Sequence, residues 1–253
     1  MTAGGAPGIR IEELQKRFGR QEVLRGVDLE VRPAELMVVI GRSGGGKSVL
    51  LRHLLGLVRP DGGRVMIDGQ DVTALRGRAL DRVRERFGVV FQGGALFDSQ
   101  TVLENVLFPI REHRRVPRAE LLPRARQALA QVGLAEMGHK YPAEISGGMR
   151  KRVAIARALV TEPAVVFLDE PTTGLDPILV NTIHHLVVEL HRKSNFTAVM
   201  VSHEIPEIFA IAHRVAVLHE GRIRLVGTPD EVQRSDDPVV RQFIRGEVEE
   251  RAV

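Results

Sequence analysis

The chain has 253 residues, 43% of them hydrophobic, so it is long enough and apolar enough to bury a substantial core. It contains no cysteine, which excludes disulfides and thiolate metal sites. The net charge of +4 is carried mainly by 31 arginines, against five lysines, and the one tyrosine, nine phenylalanines and absent tryptophan leave few rings to stack on nucleic-acid bases.

The N-terminal part predicts strands around a glycine-rich turn. Its first ten residues lack the charged and apolar segments of a secretory signal, so none is expected. Alternating apolar and polar residues over 9–31 predict antiparallel strands with one solvent-exposed face. The short apolar run at 36–40 predicts a buried strand, and 48–57 predicts the helix after the turn. Another strand pair is predicted around 65–67, between turns that contain Asp-Gly.

The middle of the chain predicts a small helical subdomain. Residues 78–87 predict a short basic helix, and residues 101–138 predict a helical region with one buried apolar stripe. Three prolines are expected to break this region: Pro109, Pro117 and Pro123. The arginine-rich stretches 76–86 and 111–126 are interpreted as solvated helix faces, with nucleic acid or anionic lipid as the alternative partner.

The C-terminal half alternates helices with strands. The predicted helices cover 147–161 and 178–193, and the predicted strands cover 164–168, 197–201, 215–218 and 223–226. This alternation predicts a mostly parallel sheet with helices on both faces. All apolar runs are far shorter than the roughly 18 to 20 residues that span a bilayer, so a membrane role requires a partner. The tail at 236–253 predicts a helix with an acidic end at 247–250, lying on a neighbouring subunit.

The strongest motif has the pattern G-x-x-x-x-G-K-[ST] between a predicted strand and helix. Its residues are Gly41, Arg42, Ser43, Gly44, Gly45, Gly46, Lys47 and Ser48, and Val49 is counted with the same site. Glycines let consecutive N–H groups turn toward phosphates, and the helix N-terminus adds partial positive charge. We expect Lys47 to reach the β- and γ-phosphates and the Ser48 hydroxyl to bind Mg²⁺. A lysine in such a motif stands out in an arginine-rich chain, although a turn that merely caps a helix is the alternative.

Two further patterns place polar groups where they could act on a phosphate. Asp169 and Glu170 follow a predicted buried strand, so Asp169 is expected to hold Mg²⁺ through a coordinated water and Glu170 to act as general base on the attacking water. A solvated turn is the alternative. The run Ser146-Gly147-Gly148 precedes a helix with an apolar stripe, which predicts a second helix N-terminus with available N–H groups. On its own, this would be an ordinary capped helix.

The order of these motifs resembles that of the ABC nucleotide-binding domains, and the resemblance covers almost the whole chain. The ordered matches are Gly41 to Ser48, Gln92, Ser146 to Met149, Asp169-Glu170, Gly174-Leu175-Asp176 and His203. The resemblance implies ATP and Mg²⁺ as cofactors, with Gln92 sensing Mg²⁺ and water and His203 contacting the γ-phosphate. It also implies a two-fold homodimer in which Ser146 to Met149 bind the partner's ATP and Asp176 lines the interface. Phe18 is at the position of an aromatic that stacks on adenine, with core packing as the alternative.

The family's fold is α/β: a P-loop NTPase (RecA-like) core with an N-terminal antiparallel β layer and an inserted helical subdomain. The resemblance implies a single ABC ATPase domain over 1–253, with the core at 9–91 and 151–230, the helical subdomain at 92–150 and a tail at 231–253.

Two stretches refine the resemblance toward the ATPases of Mla-type, MCE-associated phospholipid transporters. They cover 91–106 and 146–153, with further similarity at 176–178 and 237–246, and all of these are weaker signals than the nucleotide motifs. Met149 stands where most family members have glutamine. The implied partners are a membrane permease and an MCE-type lipid-binding protein, with no nucleic acid, at the cytoplasmic face of the inner membrane. One alternative is the ATPase of an importer for a small polar solute. A soluble ABC protein acting on ribosomes or DNA is disfavoured, because a single motif set fills the chain.

Overall fold

The computed structural model describes residues 6–112 and 116–245. The strands are β1 (Ile9–Phe18), β2 (Gln21–Val31), β3 (Leu36–Ile40), β4 (Gly62–Ile67), β5 (Gln70–Asp71), β6 (Phe87–Val90), β7 (Val165–Asp169), β8 (Thr197–Ser202), β9 (Arg214–His219) and β10 (Arg222–Gly227). The helices are α1 (Lys47–Leu54), α2 (Gly77–Arg84), α3 (Val102–Glu112), α4 (Arg118–Gln131), α5 (Gly147–Leu159), α6 (Pro177–Ser194), α7 (Pro229–Gln233) and α8 (Pro238–Arg245). Over these residues, no helix combines the length and apolar character needed to cross a bilayer.

The chain forms two compact units, which are described separately. We call residues 7–76 with 199–245 the P-loop unit, and residues 77–198 the helical unit. The chain passes from the helical unit to the P-loop unit within β8, between Ala198 and Val199.

The N-terminal layer of the P-loop unit is a four-stranded sheet in the order β2-β1-β4-β5. Its strands pair antiparallel, with Ile9 opposite both Val31 and Ile67. These three side chains are buried, whereas Arg10 is exposed, because alternate residues of a strand point to opposite faces. The predicted antiparallel layer with one exposed face is confirmed.

The second sheet segment of the P-loop unit leads into the phosphate loop. β3 pairs parallel with β9, which pairs antiparallel with β10. All five residues of β3 are buried, as expected for a continuous apolar run covered on both faces. α1 ends at Leu54, short of the predicted residue 57, because Gly56 adopts φ of 66°, a left-handed conformation that commonly follows a helix. The predicted tail helix is present as α8, and its acidic end at 247–250 lies outside the described residues.

The helical unit combines a parallel strand pair with the predicted helices. β6 pairs parallel with β7, and Phe87 packs edge-on against Phe167 with ring centroids 5.2 Å apart. The expectation that prolines break the helical region is wrong for Pro109 and Pro123, which lie inside α3 and α4. Each removes one helix hydrogen bond. Both helices nevertheless bury apolar side chains against the rest of the unit, which offsets that loss. Pro117, as expected, lies at the helix boundary where α4 begins.

Candidate functional site

The phosphate loop of the P-loop unit has the backbone that its glycines permit. Gly44 and Gly46 have φ values of 75° and 97°, in the region that favours glycine. A Cβ on Gly41 would lie 2.3 Å from the Leu218 carbonyl oxygen, so no side chain fits there. A Cβ on Gly44, in contrast, would meet no atom within 4 Å. The loop is therefore closed toward the sheet and open at Gly44.

Lys47 begins α1 and turns back over this loop. Its Nζ donates to the carbonyl oxygens of Gly41 at 2.9 Å and Arg42 at 3.1 Å, and the residue is only 4% exposed. The residue before it, Gly46, has no side chain that could cap the helix, and the first turn contains no acidic residue. The helix N-terminus thus keeps its positive electrostatic potential, which suits a bound anion.

The β1–β2 hairpin packs directly against the phosphate loop. Atoms of Val23 and Leu24 lie 3.2 Å from the position that a Cβ on Gly46 would occupy. Phe18, in the same hairpin, is 48% exposed, so its alternative as a core residue is wrong. The hairpin therefore presents an accessible aromatic ring within the unit that contains the phosphate loop.

His203 also lies in the P-loop unit, immediately after β8. That strand is buried throughout, and His203 is exposed. The next turn is held by the Ser202 hydroxyl, which accepts from the Glu204 N–H at 3.1 Å. The buried strand and this turn therefore define where the chain carrying His203 leaves β8.

In the helical unit, the structure brings together two predicted catalytic residues. Gln92 Nε2 donates to Glu170 Oε2 at 3.0 Å, and the Thr173 hydroxyl donates to the same oxygen at 3.1 Å. Asp169 is the last residue of β7, and Glu170 has a φ of 45°. The strand end thus delivers two adjacent carboxylates, one of them held by an amide and a hydroxyl.

The predicted second helix N-terminus is present in the same unit. Ser146 caps α5, its hydroxyl accepting from the Met149 N–H at 3.2 Å. A Cβ on Gly148 would touch the Leu179 side chain at 3.4 Å, so a larger residue would crowd α6. Asp176 caps α6 by accepting from the N–H groups of Ile178 and Leu179, each at 3.0 Å. The two helix starts are thereby fixed locally.

Two basic side chains of α5 that sequence reasoning missed hold the loop after β6, which we call the Gln92 loop (residues 91–97). Lys151 is buried and donates to the Gln92 carbonyl oxygen. Arg157 donates to the carbonyl oxygens of Gly94 and Ala95, each at 2.6 Å. Burial lowers the pKa of Arg157 from its ordinary value. The scarcity of lysine could have pointed to Lys151.

The site residues fit a magnesium nucleotide in their chemistry. An open glycine loop, a lysine and a helix N-terminus without acidic residues suit a triphosphate. Hydroxyl, amide and carboxylate oxygens, which the predicted metal ligands Ser48, Gln92 and Asp169 supply, are the ligand types that Mg²⁺ prefers. Ser48 belongs to the P-loop unit, and Gln92 and Asp169 belong to the helical unit. The role of each residue stays a prediction.

Comparison with known proteins gives a consistent set of similarities. A family model described as ABC transporter matches residues 24–173. A probable ribonucleotide transport ATP-binding protein of Mycobacterium tuberculosis, mkl, is 38% identical over 247 residues, covering 97% of this chain and 69% of that protein. The methionine import ATP-binding protein MetN of Mesorhizobium japonicum is 43% identical over 215 residues, covering 85% of this chain and 59% of MetN.

A solved structure matches the fold as well. It is a dimeric ATP-binding cassette in a post-hydrolysis state, bound to ADP and Pi. The TM-score is 0.79 at 30% identity, and the match covers 87% of this chain and 98% of that chain. The similarity therefore extends over nearly the whole of a known cassette.

Proposed function

Because the chain belongs to the ABC transporter family, as an ATP-binding subunit that hydrolyses ATP with Mg²⁺, we propose that it powers phospholipid transport through a separate membrane permease. The protein has the mixed α/β fold of that family, with a P-loop NTPase core and an antiparallel layer.

The observation that carries the coupling to a permease is the attachment of the Gln92 loop to α5. One helix begins with the Ser146 cap and also fastens that loop through Lys151 and Arg157. A displacement at the helix start is therefore transmitted to the loop as a rigid-body movement. Phe91 and Phe97 are 39% and 41% exposed, so the loop offers apolar surface to a partner. The family resemblance implies that a permease binds next to this loop.

The proposed roles of the site residues divide into phosphate binding, metal binding and proton transfer. The phosphate loop and Lys47 bind the phosphates, and Ser48, Gln92 and Asp169 hold Mg²⁺, which offsets negative charge when bound. Glu170 takes the proton from the attacking water as general base. Gln92 donates to this carboxylate and so orients it. His203, at the end of β8, contacts the terminal phosphate.

The N-terminus of α5, capped by Ser146, supports a homodimer. One nucleotide fills one phosphate loop, so the Ser146-Gly147-Gly148 start is left for the nucleotide of a second copy, and a two-fold axis satisfies both sites equally. The Met149 side chain has no hydrogen-bond donor and only a weak acceptor, its thioether sulfur, but the main-chain N–H groups of the glycines do not depend on it. Asp176 lies at the start of α6, where the family resemblance places the subunit interface.

Phospholipid as substrate is supported by the similarity of 91–106 and 146–153 to Mla-type ATPases, including methionine at 149. An MCE-type lipid-binding protein is then the third component, and the complex lies at the cytoplasmic face of the inner membrane. The second candidate is the ATPase of an importer for a small polar solute, which the similarity to a methionine import protein favours.

Identification of the permease tests this proposal. The tagged chain is purified from detergent-solubilised membranes, and the bound proteins are identified by mass spectrometry. The purified complex is then assayed for ATP hydrolysis with phospholipid vesicles or with methionine. Stimulation by phospholipid and co-purification of an MCE protein are expected. Stimulation by the amino acid alone, with an importer permease bound, would select the second candidate.

A further inference from the structure

A lysine lies against the exposed ring at the tip of the β1–β2 hairpin. The Lys16 ammonium is 5.3 Å from the centroid of the Phe18 ring. This is within the range of about 6 Å over which a cation is attracted to a ring face. Because Phe18 is 48% exposed, the ring also keeps surface that a ligand can cover.

The ammonium is fixed in place by the segment before β4. Lys16 Nζ donates to the Arg59 carbonyl oxygen at 2.9 Å and to Asp61 Oδ1 at 3.1 Å, and its side chain is only 14% exposed. The other Asp61 oxygen accepts from the Arg17 N–H at 2.7 Å, and the Asp61 N–H donates to the Gln15 carbonyl oxygen at 2.9 Å. Three consecutive residues of β1 are thus fastened to one aspartate.

The Asp61 carboxyl group is ionised, as its pairing with the Lys16 ammonium requires. The Arg17 N–H and the Lys16 ammonium lower the pKa of its carboxyl from the ordinary value, so it is ionised at neutral pH. An exposed ion pair alone would contribute little to stability. Its geometric effect is more specific, because it removes the rotational freedom of the lysine and holds the charge against one ring.

The hairpin that carries this ring packs against the phosphate loop. Atoms of Val23 and Leu24 lie 3.2 Å from the position that a Cβ on Gly46 of that loop would occupy, and Lys16 is paired with Leu24 across the hairpin. A cation next to a ring draws on its π electrons and makes the ring a better partner for an electron-rich base. A ring fixed before binding also loses less conformational entropy when the base arrives.

We propose that Lys16 and Asp61 form a support that fixes and polarises the Phe18 ring, on which the adenine of ATP stacks. Lys16 is thus a positioning residue for the nucleotide base, and Asp61 positions Lys16. This inference rests on the proposed contact between Phe18 and adenine.

The test compares a ligand that has a base with one that lacks it. Dissociation constants for Mg-ATP and for magnesium tripolyphosphate are measured by titration calorimetry on the full chain. Lys16→Met is the main variant, and Arg20→Met, an exposed arginine of the same hairpin, is the control for charge. Thermal unfolding checks that each variant is folded. If Lys16→Met does not fold, Asp61→Asn, which loosens the ammonium but leaves the lysine in place, is measured instead.

We expect Lys16→Met to weaken ATP binding by about 3- to 10-fold, because a ring that the lysine no longer holds must be immobilised when the base binds. Tripolyphosphate binding should change no more than in Arg20→Met, because a base-free ligand does not touch the ring. In a Phe18→Leu background, adding Lys16→Met should have no further effect on ATP. Equal weakening of both ligands would mean a general structural or charge effect and would overturn the inference.

The Phe18→Leu variant separates the two levels of the proposal. If it weakens ATP while Lys16→Met does not, the support is wrong and the adenine contact stands. If Phe18→Leu itself leaves ATP affinity unchanged, the adenine contact is wrong, and the inference built on it is wrong as well.

Discussion

Replacing Glu170 by glutamine tests the role of its carboxylate in proton transfer while keeping the hydrogen bonds around it. Glu170 Oε2 accepts from the Gln92 amide at 3.0 Å and from the Thr173 hydroxyl at 3.1 Å. A glutamine of equal length can present its carbonyl oxygen to both donors, so the free energy of unfolding should change by less than about 1 kcal/mol. Only the capacity to accept a proton is lost, and general bases typically contribute about 10² to 10⁴ in rate.

The assay measures phosphate release at saturating Mg-ATP, together with ATP affinity and the size of the protein in solution. We expect kcat to fall by about 10² to 10⁴ while ATP affinity is kept. A dimer that persists with unhydrolysed ATP should accumulate. Thr173→Val is the matched control: it removes one hydrogen bond to Glu170 and keeps the carboxylate, so its kcat should fall by only about 10-fold or less. Unchanged turnover in Glu170→Gln would show that the base is elsewhere.

Three further predictions use other parts of the structure. Lys47→Ala should abolish Mg-ATP binding in calorimetry, whereas the exposed Lys193→Ala should bind normally. Burial lowers the pKa of His53 from its ordinary value, which favours the neutral ring in the folded state. Stability should therefore decrease as pH falls below about 6.5, by at most about 1.4 kcal/mol per pH unit. His53→Leu should flatten this dependence in thermal unfolding. Arg157→Met removes two charged hydrogen bonds and should lower the free energy of unfolding, measured in urea, by about 2 to 4 kcal/mol. A decrease below about 0.5 kcal/mol would contradict the role of Arg157 in holding the Gln92 loop.

The sequence predicts those strands in which the pattern of apolar residues follows directly from which side chains are buried. β3 and the N-terminal hairpin were predicted because continuous or alternating apolar residues leave one possible face pattern. Pro109 and Pro123 were misjudged because local propensity cannot weigh tertiary packing, which retains a helix despite a missing hydrogen bond. The short strand β6 was not delimited, since four residues carry too little pattern.

The sequence predicts the residues of the candidate site better than it predicts the residues that hold them in place. Motif order identified Gln92 and Glu170, and the structure places them in hydrogen-bond contact. Their neighbour Thr173 was missed because a single hydroxyl in a turn has no spacing signal. Arg157 was missed because it is one of 31 arginines, and only the fold shows that its guanidinium meets two carbonyl oxygens.

The five lysines show how composition and site chemistry are connected. Three of them donate to main-chain carbonyl oxygens, and the last two of these are buried: Lys16, Lys47 and Lys151. The other two form ion pairs at i, i+4 spacing with their side chains partly exposed: Lys140 and Lys193. A planar guanidinium needs room for a two-pronged approach, whereas a compact ammonium with three donors fits among carbonyl oxygens in a confined space. In a chain that uses arginine for most positive charge, lysine at an internal position therefore marks a place where a small cation is required, and Lys151→Arg should disturb the Gln92 loop although the charge is unchanged.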